Sequence, residues 1–187
     1  MDFLSCSNGR RPIFKPIALA VGLDRVFVVD HELVKKIHDN GAIGTVLTLK
    51  HLLHFGITSG CSITGIRVRL QGDSAASSFL AADPTNDDLY IALSNLHQIW
   101  RVPEKSNIEL QEGQMNQYEV IAGVSGEPCS SPSELCGDDD LAVDAQLSFP
   151  KGIAFDDQGQ LYVADGHRLR VIEKASSPQR RIRSIGD

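Results

Sequence analysis

The sequence has little of several things that would have narrowed its role. No apolar run approaches the ~18 residues that a membrane helix needs, and the best, Ile17 to Leu23, is far too short. Nothing in this chain is therefore expected to span a bilayer. The start lacks a secretory leader, because Asp2 and Cys6 lead into the polar stretch Ser7 to Arg11 instead of an apolar run. An export signal would have to lie elsewhere. Positive charge is scarce: 18 Lys and Arg face 24 Asp and Glu, a net charge of −6 that opposes phosphate backbones and anionic head groups. Nucleic acid is not an expected partner. There is no G-x-S-x-G elbow, no H-E-x-x-H pair and no P-loop, so no catalytic residue, metal or cofactor is expected. No Asn-x-Ser/Thr acceptor occurs either, and the compartment must be read from cysteine.

What the 187 residues do contain is an internal repeat, within a composition of 42% hydrophobic and 22% charged residues that suits a folded globular segment. The clearest copy, Ser148 to Ile172, has a short apolar strand, an Asp/Gly turn, an alternating strand, a second Gly turn and a third strand. Arg181 to Ile185 supplies a fourth. In Leu161 to Asp165 the side chains alternate, so Leu161 and Val163 pack one way while Tyr162 and Ala164 face the other. An earlier copy spans Pro16 to Leu49, with an Asn40-Gly41 turn before its fourth strand. A middle copy begins at Phe79 and takes its fourth strand from Tyr118 onward. It is the least regular, with Ser77 in place of Pro16 and Pro150, and Leu93 in place of Asp30 and Asp165.

Four-stranded sheets with apolar character on both faces stack radially, and about four to eight of them close a ring. The predicted fold is therefore all-β: a partial β-propeller of about three four-stranded blades with long interblade insertions. The expected organisation is a linker remnant at 1–10, a blade at 11–49, an insertion at 50–76, a blade at 77–122, a cysteine-containing interblade loop at 123–147 and a blade at 148–187. A short helix or strand is expected around Lys50 to Phe55. The outer faces of the two end blades should be apolar and uncovered.

Candidate sites are few. Cys129 and Cys136 bracket a six-residue polar loop, and a disulfide there would contribute about 2.5 kcal/mol by loop-closure entropy. Zinc would need four ligands, and no histidine lies near the pair in sequence, so the disulfide and an oxidising compartment are the favoured reading. Cys6 and Cys61 have no evident mate. Asp138, Asp139, Asp140 and Asp144 fail the EF-hand spacing, which leaves a solvated acidic loop. Asp30 and Asp165 end their second strands, where a short carboxylate can accept local backbone N–H groups. With Pro16, Pro150 and Gly152 they are read as structural strand-end residues. His51, His54, His97 and His167 complete no ligand set and are assigned to the surface.

The stretch from Cys136 to Ile172, CGDDDLAVDAQLSFPKGIAFDDQGQLYVADGHRLRVI, resembles the NHL-repeat signature, with Asp139 and Asp140 where that signature has glycines. Together with KPIALAVGLDRVFVVD from Lys15, ADPTNDDLYIALSN from Ala82 and the paired cysteines, it looks like the NHL propeller of teneurins. That resemblance implies a type II single-pass cell-surface protein of cell adhesion, signalling and neuron development. Its extracellular propeller would recognise protein partners, homophilic ones included, and the membrane would be reached only through parts absent from this sequence, as are the EGF-like repeats. It implies neither catalysis nor an obligatory metal. Two other classes stand beside it: a propeller hydrolase or lyase with a channel metal, and an intracellular NHL scaffold binding protein or RNA through Arg10, Arg11, Arg67, Arg69, Arg180, Arg181 and Arg183.

Overall fold

A computed structural model describes residues 13, 15–23, 25–30, 33–48, 66–67, 78–104, 118–131 and 134–185. The strands are β1 Pro16–Val21, β2 Arg25–Asp30, β3 Leu33–His38, β4 Ile43–Thr48, β5 Ile66–Arg67, β6 Ser78–Ala82, β7 Leu89–Leu93, β8 Gln98–Val102, β9 Glu119–Ala122, β10 Pro150–Phe155, β11 Leu161–Asp165, β12 Arg168–Glu173 and β13 Arg181–Ile185. They form three up-and-down antiparallel sheets, β1–β4, β6–β9 and β10–β13. This is the all-β, three-blade arc of a propeller. The two-residue β5 adds to the first sheet, parallel to β4, so that blade has a fifth strand inside the expected 50–76 insertion. The remainder of that insertion, the Lys50 to Phe55 stretch, Cys6, Cys61, His51, His54 and the 1–10 segment lie outside the described residues.

Stacking explains the burial. β1 and β10 both pack against β6, so the middle blade is covered on two sides. Every residue of β7 is consequently buried, from Leu89 to Leu93, and the strand reads as a continuous apolar run instead of an alternating one. One joint gathers Phe27, Val29 and Val34 of the first blade against Leu89, Ile91 and Trp100. The other gathers Tyr90, Ala92 and Ile99 against Leu161, Val163 and Ile172. Each buried leucine or valine contributes about 1.5–3 kcal/mol relative to exposure, which is why neighbouring sheets, and not the hairpins alone, hold the arc together.

Register corrects one detail of the repeat. Pro16 pairs with Asp30 and Pro150 with Asp165, each just before a register shift, but in the middle blade Leu93 pairs with Ser78, not Ser77. That blade has no shift at this point, so the partner of Leu93 falls one residue later than the repeat pattern predicts. Gly152 sits within the third blade's register shift, and a Cβ there would meet the Ala164 Cβ at an ordinary 3.9 Å. No close approach requires a glycine at that position.

The second joint also encloses a misfit polar atom. The Tyr90 ring is fully buried and meets Phe155 edge-on at 4.8 Å, yet its hydroxyl has no hydrogen-bond partner among the described residues. Burial pushes the phenol well above its ordinary range, so it stays neutral. A desolvated, unpaired hydroxyl costs about 1–3 kcal/mol, and Tyr90→Phe should therefore stabilise the arc by about 1–2 kcal/mol in urea unfolding. A loss of stability instead would mean that the hydroxyl is bonded.

Candidate functional site

The chain between β9 and β10 is the most elaborate loop among the described residues, and it is built onto the third blade by specific bonds. It leaves the middle blade at Gly123, with φ +92° and a position for Cβ only 2.0 Å from the His97 carbonyl oxygen, so a side chain is barred there. Further along, the Asp139 N–H donates to Ile182 O at 2.8 Å and the Ile182 N–H returns to Asp140 O at 3.2 Å. Leu141 bridges Arg181. The loop thus lies along the outer strand β13 like an extra edge partner. Asp139 takes φ +66° where the repeat signature places glycine; a short polar side chain is among the few that tolerate this region.

A fully buried arginine organises the inner side. Arg170 of β12 places its guanidinium 2.6 Å from Asp138 Oδ1, 3.0 Å from Gln146 O and 3.2 Å from Cys136 O, with Asp165 Oδ2 at 3.7 Å. One planar fork therefore satisfies two carbonyls of the crossing loop and neutralises a carboxylate on each side. Asp165 in turn accepts the Ser148 N–H at 2.7 Å, fixing the chain just ahead of Pro150. Burial raises the Asp165 pKa, and Arg170 opposes that rise.

The contacts differ from the sequence-based expectation in three ways. Asp165 and Asp30 reach across to the chain that begins the blade, Asp165 accepting the Ser148 N–H at 2.7 Å and Asp30 the Lys15 N–H at 2.5 Å. Asp138 is not a solvated acid but the main partner of Arg170, while Asp139, Asp140 and Asp144 are exposed. His97 is not a free surface group: its Nδ1 bonds the Ser148 carbonyl and its ring meets Phe149 at 5.0 Å, joining the middle blade to the start of the third. His167 is exposed.

Sequence reading missed the basic member of the pair. Lys35 follows Asp30 by five residues and ion-pairs with it, as Arg170 follows Asp165 by five. The shared spacing was a usable signal. In the middle blade, Leu93 and Gln98 occupy these places, and Gln98 instead accepts the Trp100 indole N–H at 3.0 Å and donates to Gly123 O at 3.3 Å.

At the tip, Cys129 and Cys136 are joined by a disulfide across a Cα separation of 5.7 Å. Arg168 holds the enclosed turn from the side, donating to Ser131 O at 3.0 Å and to Glu134 O. Leu135 is left 76% exposed, beside the exposed Glu134. Among the described residues, Cys129, Glu134 and Cys136 are one group whose ligand atoms lie within 4.8 Å, and the bridge occupies both sulphurs. The described arginines of the RNA-scaffold alternative are engaged elsewhere: Arg180 with Glu119, Arg181 with Asp139 O and Arg183 with Glu173. Arg67 is described in its backbone only, and the others lie outside the described residues. No described helix is long and apolar enough to cross a membrane.

Residues 3–178 match the family described as Teneurin NHL domain. The chain is 34% identical over 176 residues to Teneurin-1 of Caenorhabditis elegans, covering 94% of this chain and 6% of that protein. It is 33% identical over 164 residues to Teneurin-3 of Mus musculus, covering 87% of this chain and 5% of that one. The chain thus spans about one-twentieth of the length of these relatives. Among solved structures it resembles a protein of unknown function from Bacteroides thetaiotaomicron, with a TM-score of 0.55 and 14% identity over 90% of this chain and 35% of the other. An auxiliary nutrient binding protein from Bacteroides ovatus gives 0.52 and 17% over the same shares. At such identities these structures speak to the fold alone.

Proposed function

Since this chain belongs to the teneurin NHL-domain family, we propose that it is a recognition segment of an extracellular adhesion and signalling propeller, binding protein partners and doing no chemistry. The observation that carries this reading is the stapled loop. Its bridge suits an oxidising compartment, and Arg168 with Arg170 holds its backbone so that Leu135 and Glu134 are presented with little freedom left to lose. A preordered knob with one large apolar side chain beside Glu134, in a loop whose Glu127, Asp139 and Asp140 are also exposed, suits a protein surface, homophilic or otherwise, carrying a complementary basic edge.

The non-enzymatic part of the reading draws on the same contacts, because His97 and Asp165 spend their polar atoms on Ser148 backbone groups at a blade joint. The parent protein would reside at the cell surface, anchored by parts outside this sequence. The test is adhesion: cells displaying the parent protein with Leu135→Asp should bind partner-displaying cells about tenfold more weakly, the loss expected for one interface anchor. Aggregation unchanged by that substitution and by deletion of the whole arc would reject the proposal. Stoichiometric zinc or calcium in a closed propeller containing this segment would favour the hydrolase or lyase class instead.

A further inference from the structure

The turn between the first two strands can be compared across the blades position by position. In each blade the residue that follows the first strand donates its N–H to a carbonyl at the start of the second: Gly22 to Arg25 O at 2.8 Å, Asp83 to Asp88 O at 2.9 Å and Asp156 to Gln160 O at 3.1 Å. Gly22, Asp83 and Asp156 are therefore equivalent. In the middle and third blades the aspartate at this place fills the turn with its own carboxylate, which a short acidic side chain can do. Asp83 Oδ1 accepts the Thr85 N–H at 2.9 Å, and Asp156 Oδ1 accepts the Gln158 and Gln160 N–H groups at 2.9 and 2.8 Å. Gly22 has no carboxylate to offer.

The first blade's turn is filled all the same, from the neighbouring blade. Asp87, in the turn of the middle blade, accepts the Leu23 N–H on Oδ1 at 2.6 Å. A Cβ on Gly22 would lie 2.3 Å from that oxygen and 3.1 Å from Asp87 Cγ, so the visiting carboxylate occupies the space in which a side chain at Gly22 would begin. Its other oxygen is 2.9 Å from Arg25 Nε. Arg25 also bonds Glu104 at 2.5 Å, and the Glu104 N–H donates to Asp88 Oδ1 at 2.8 Å, which braces the contact within the middle blade. Asp87 is buried and holds φ +62°, its own N–H tied to Asp83 O at 3.0 Å. Gly22 is not among the glycines at positive φ, so space and not backbone conformation calls for a glycine there.

We infer that Asp87 is a turn residue lent across a blade joint: the middle blade completes the first hairpin of its neighbour in trans, where the other two blades complete their own in cis. The bare Gly22 is the accommodation for the lent carboxylate. The first hairpin therefore closes fully only when the middle blade is stacked on it, which makes the joint a latch as well as an apolar contact. Apolar packing alone tolerates small slips between sheets, whereas a hydrogen bond is lost once donor and acceptor separate by a fraction of an ångström beyond its range. The latch thus fixes the spacing and angle of the two blades, and it ties the local stability of the first turn to the joint and not to the turn's own sequence.

Amide hydrogen exchange on the full chain tests this at Leu23. Asp87→Gly keeps a residue suited to φ +62° and removes the carboxylate, so the Leu23 amide should exchange about tenfold faster while the third sheet keeps its parent rates. Gly22→Asp alone should also speed exchange, because its Cβ meets the Asp87 oxygen. The two together return a carboxylate to the turn in cis, as in the other blades, and protection should recover to within about threefold of the parent. The same Gly22→Asp change thus harms one background and rescues the other. A Leu23 rate indifferent to Asp87→Gly, a Gly22→Asp effect of the same sign in both backgrounds, or a combined variant that is unfolded by far-ultraviolet circular dichroism overturns the inference.

Discussion

Arg170→Ala should cost about 3–5 kcal/mol of stability in urea unfolding, the penalty for stripping the partner from buried charges. The side chain is completely enclosed, and its loss would leave Asp165 with backbone N–H donors but without the nearest countercharge, Asp138 without its main partner, and the Gln146 and Cys136 carbonyls without this donor. The penalty should depend on pH with a definite sign. Burial already raises the Asp165 pKa above its ordinary 3.8, so its ionisation weakens the fold as pH rises from that value through the raised one. Removing Arg170 raises the pKa further and widens this window. The measured cost should accordingly be smaller near pH 3, where Asp165 is mostly protonated in folded and unfolded chains alike, than at pH 7. Adding Asp165→Asn should recover part of the loss at pH 7, because a neutral amide removes the stranded charge. Equal costs at both pH values, or no recovery, would show that the arginine acts through packing alone.

Replacing Cys129 and Cys136 together by serine should lower stability by about 2.5 kcal/mol, the loop-closure entropy returned to the unfolded chain. The effect should be local as well as global. Arg168 bonds the carbonyls of the turn, and without the bridge those bonds must do more of the work of holding the loop ends. Limited proteolysis should then cut between Ser130 and Leu135 while the third sheet stays protected, and reductant added to the unmutated chain should reproduce the pattern. Resistance to cleavage after reduction would mean that Arg168 suffices.

The repeat was legible because strand pairing is written in period-two alternation and in turn residues that sit close together in the chain. β11 and β12 are cases in point: Leu161 to Asp165 and Arg168 to Glu173 are separated by a two-residue turn, and their registers pair in simple sequence. The middle blade could be placed from the same signals although it lacks Pro and Asp anchors, but its exact alignment could not, because the register shifts that offset the other two blades leave no mark in composition. The acidic loop was legible only as polar. Asp138 and Arg170 are 32 residues apart, and nothing local to either predicts that folding drives them together in a water-poor seam.

The sequence by itself determined the strands, their grouping into three antiparallel units, the family likeness and the candidate bridge, since each rests on interactions between residues near in the chain. Tertiary structure alone decided which carboxylates are partnered, which histidine locks two blades, and which apolar faces remain uncovered. Those outcomes depend on how whole sheets stack, where the cost of burying a charge is set by neighbours contributed from another blade.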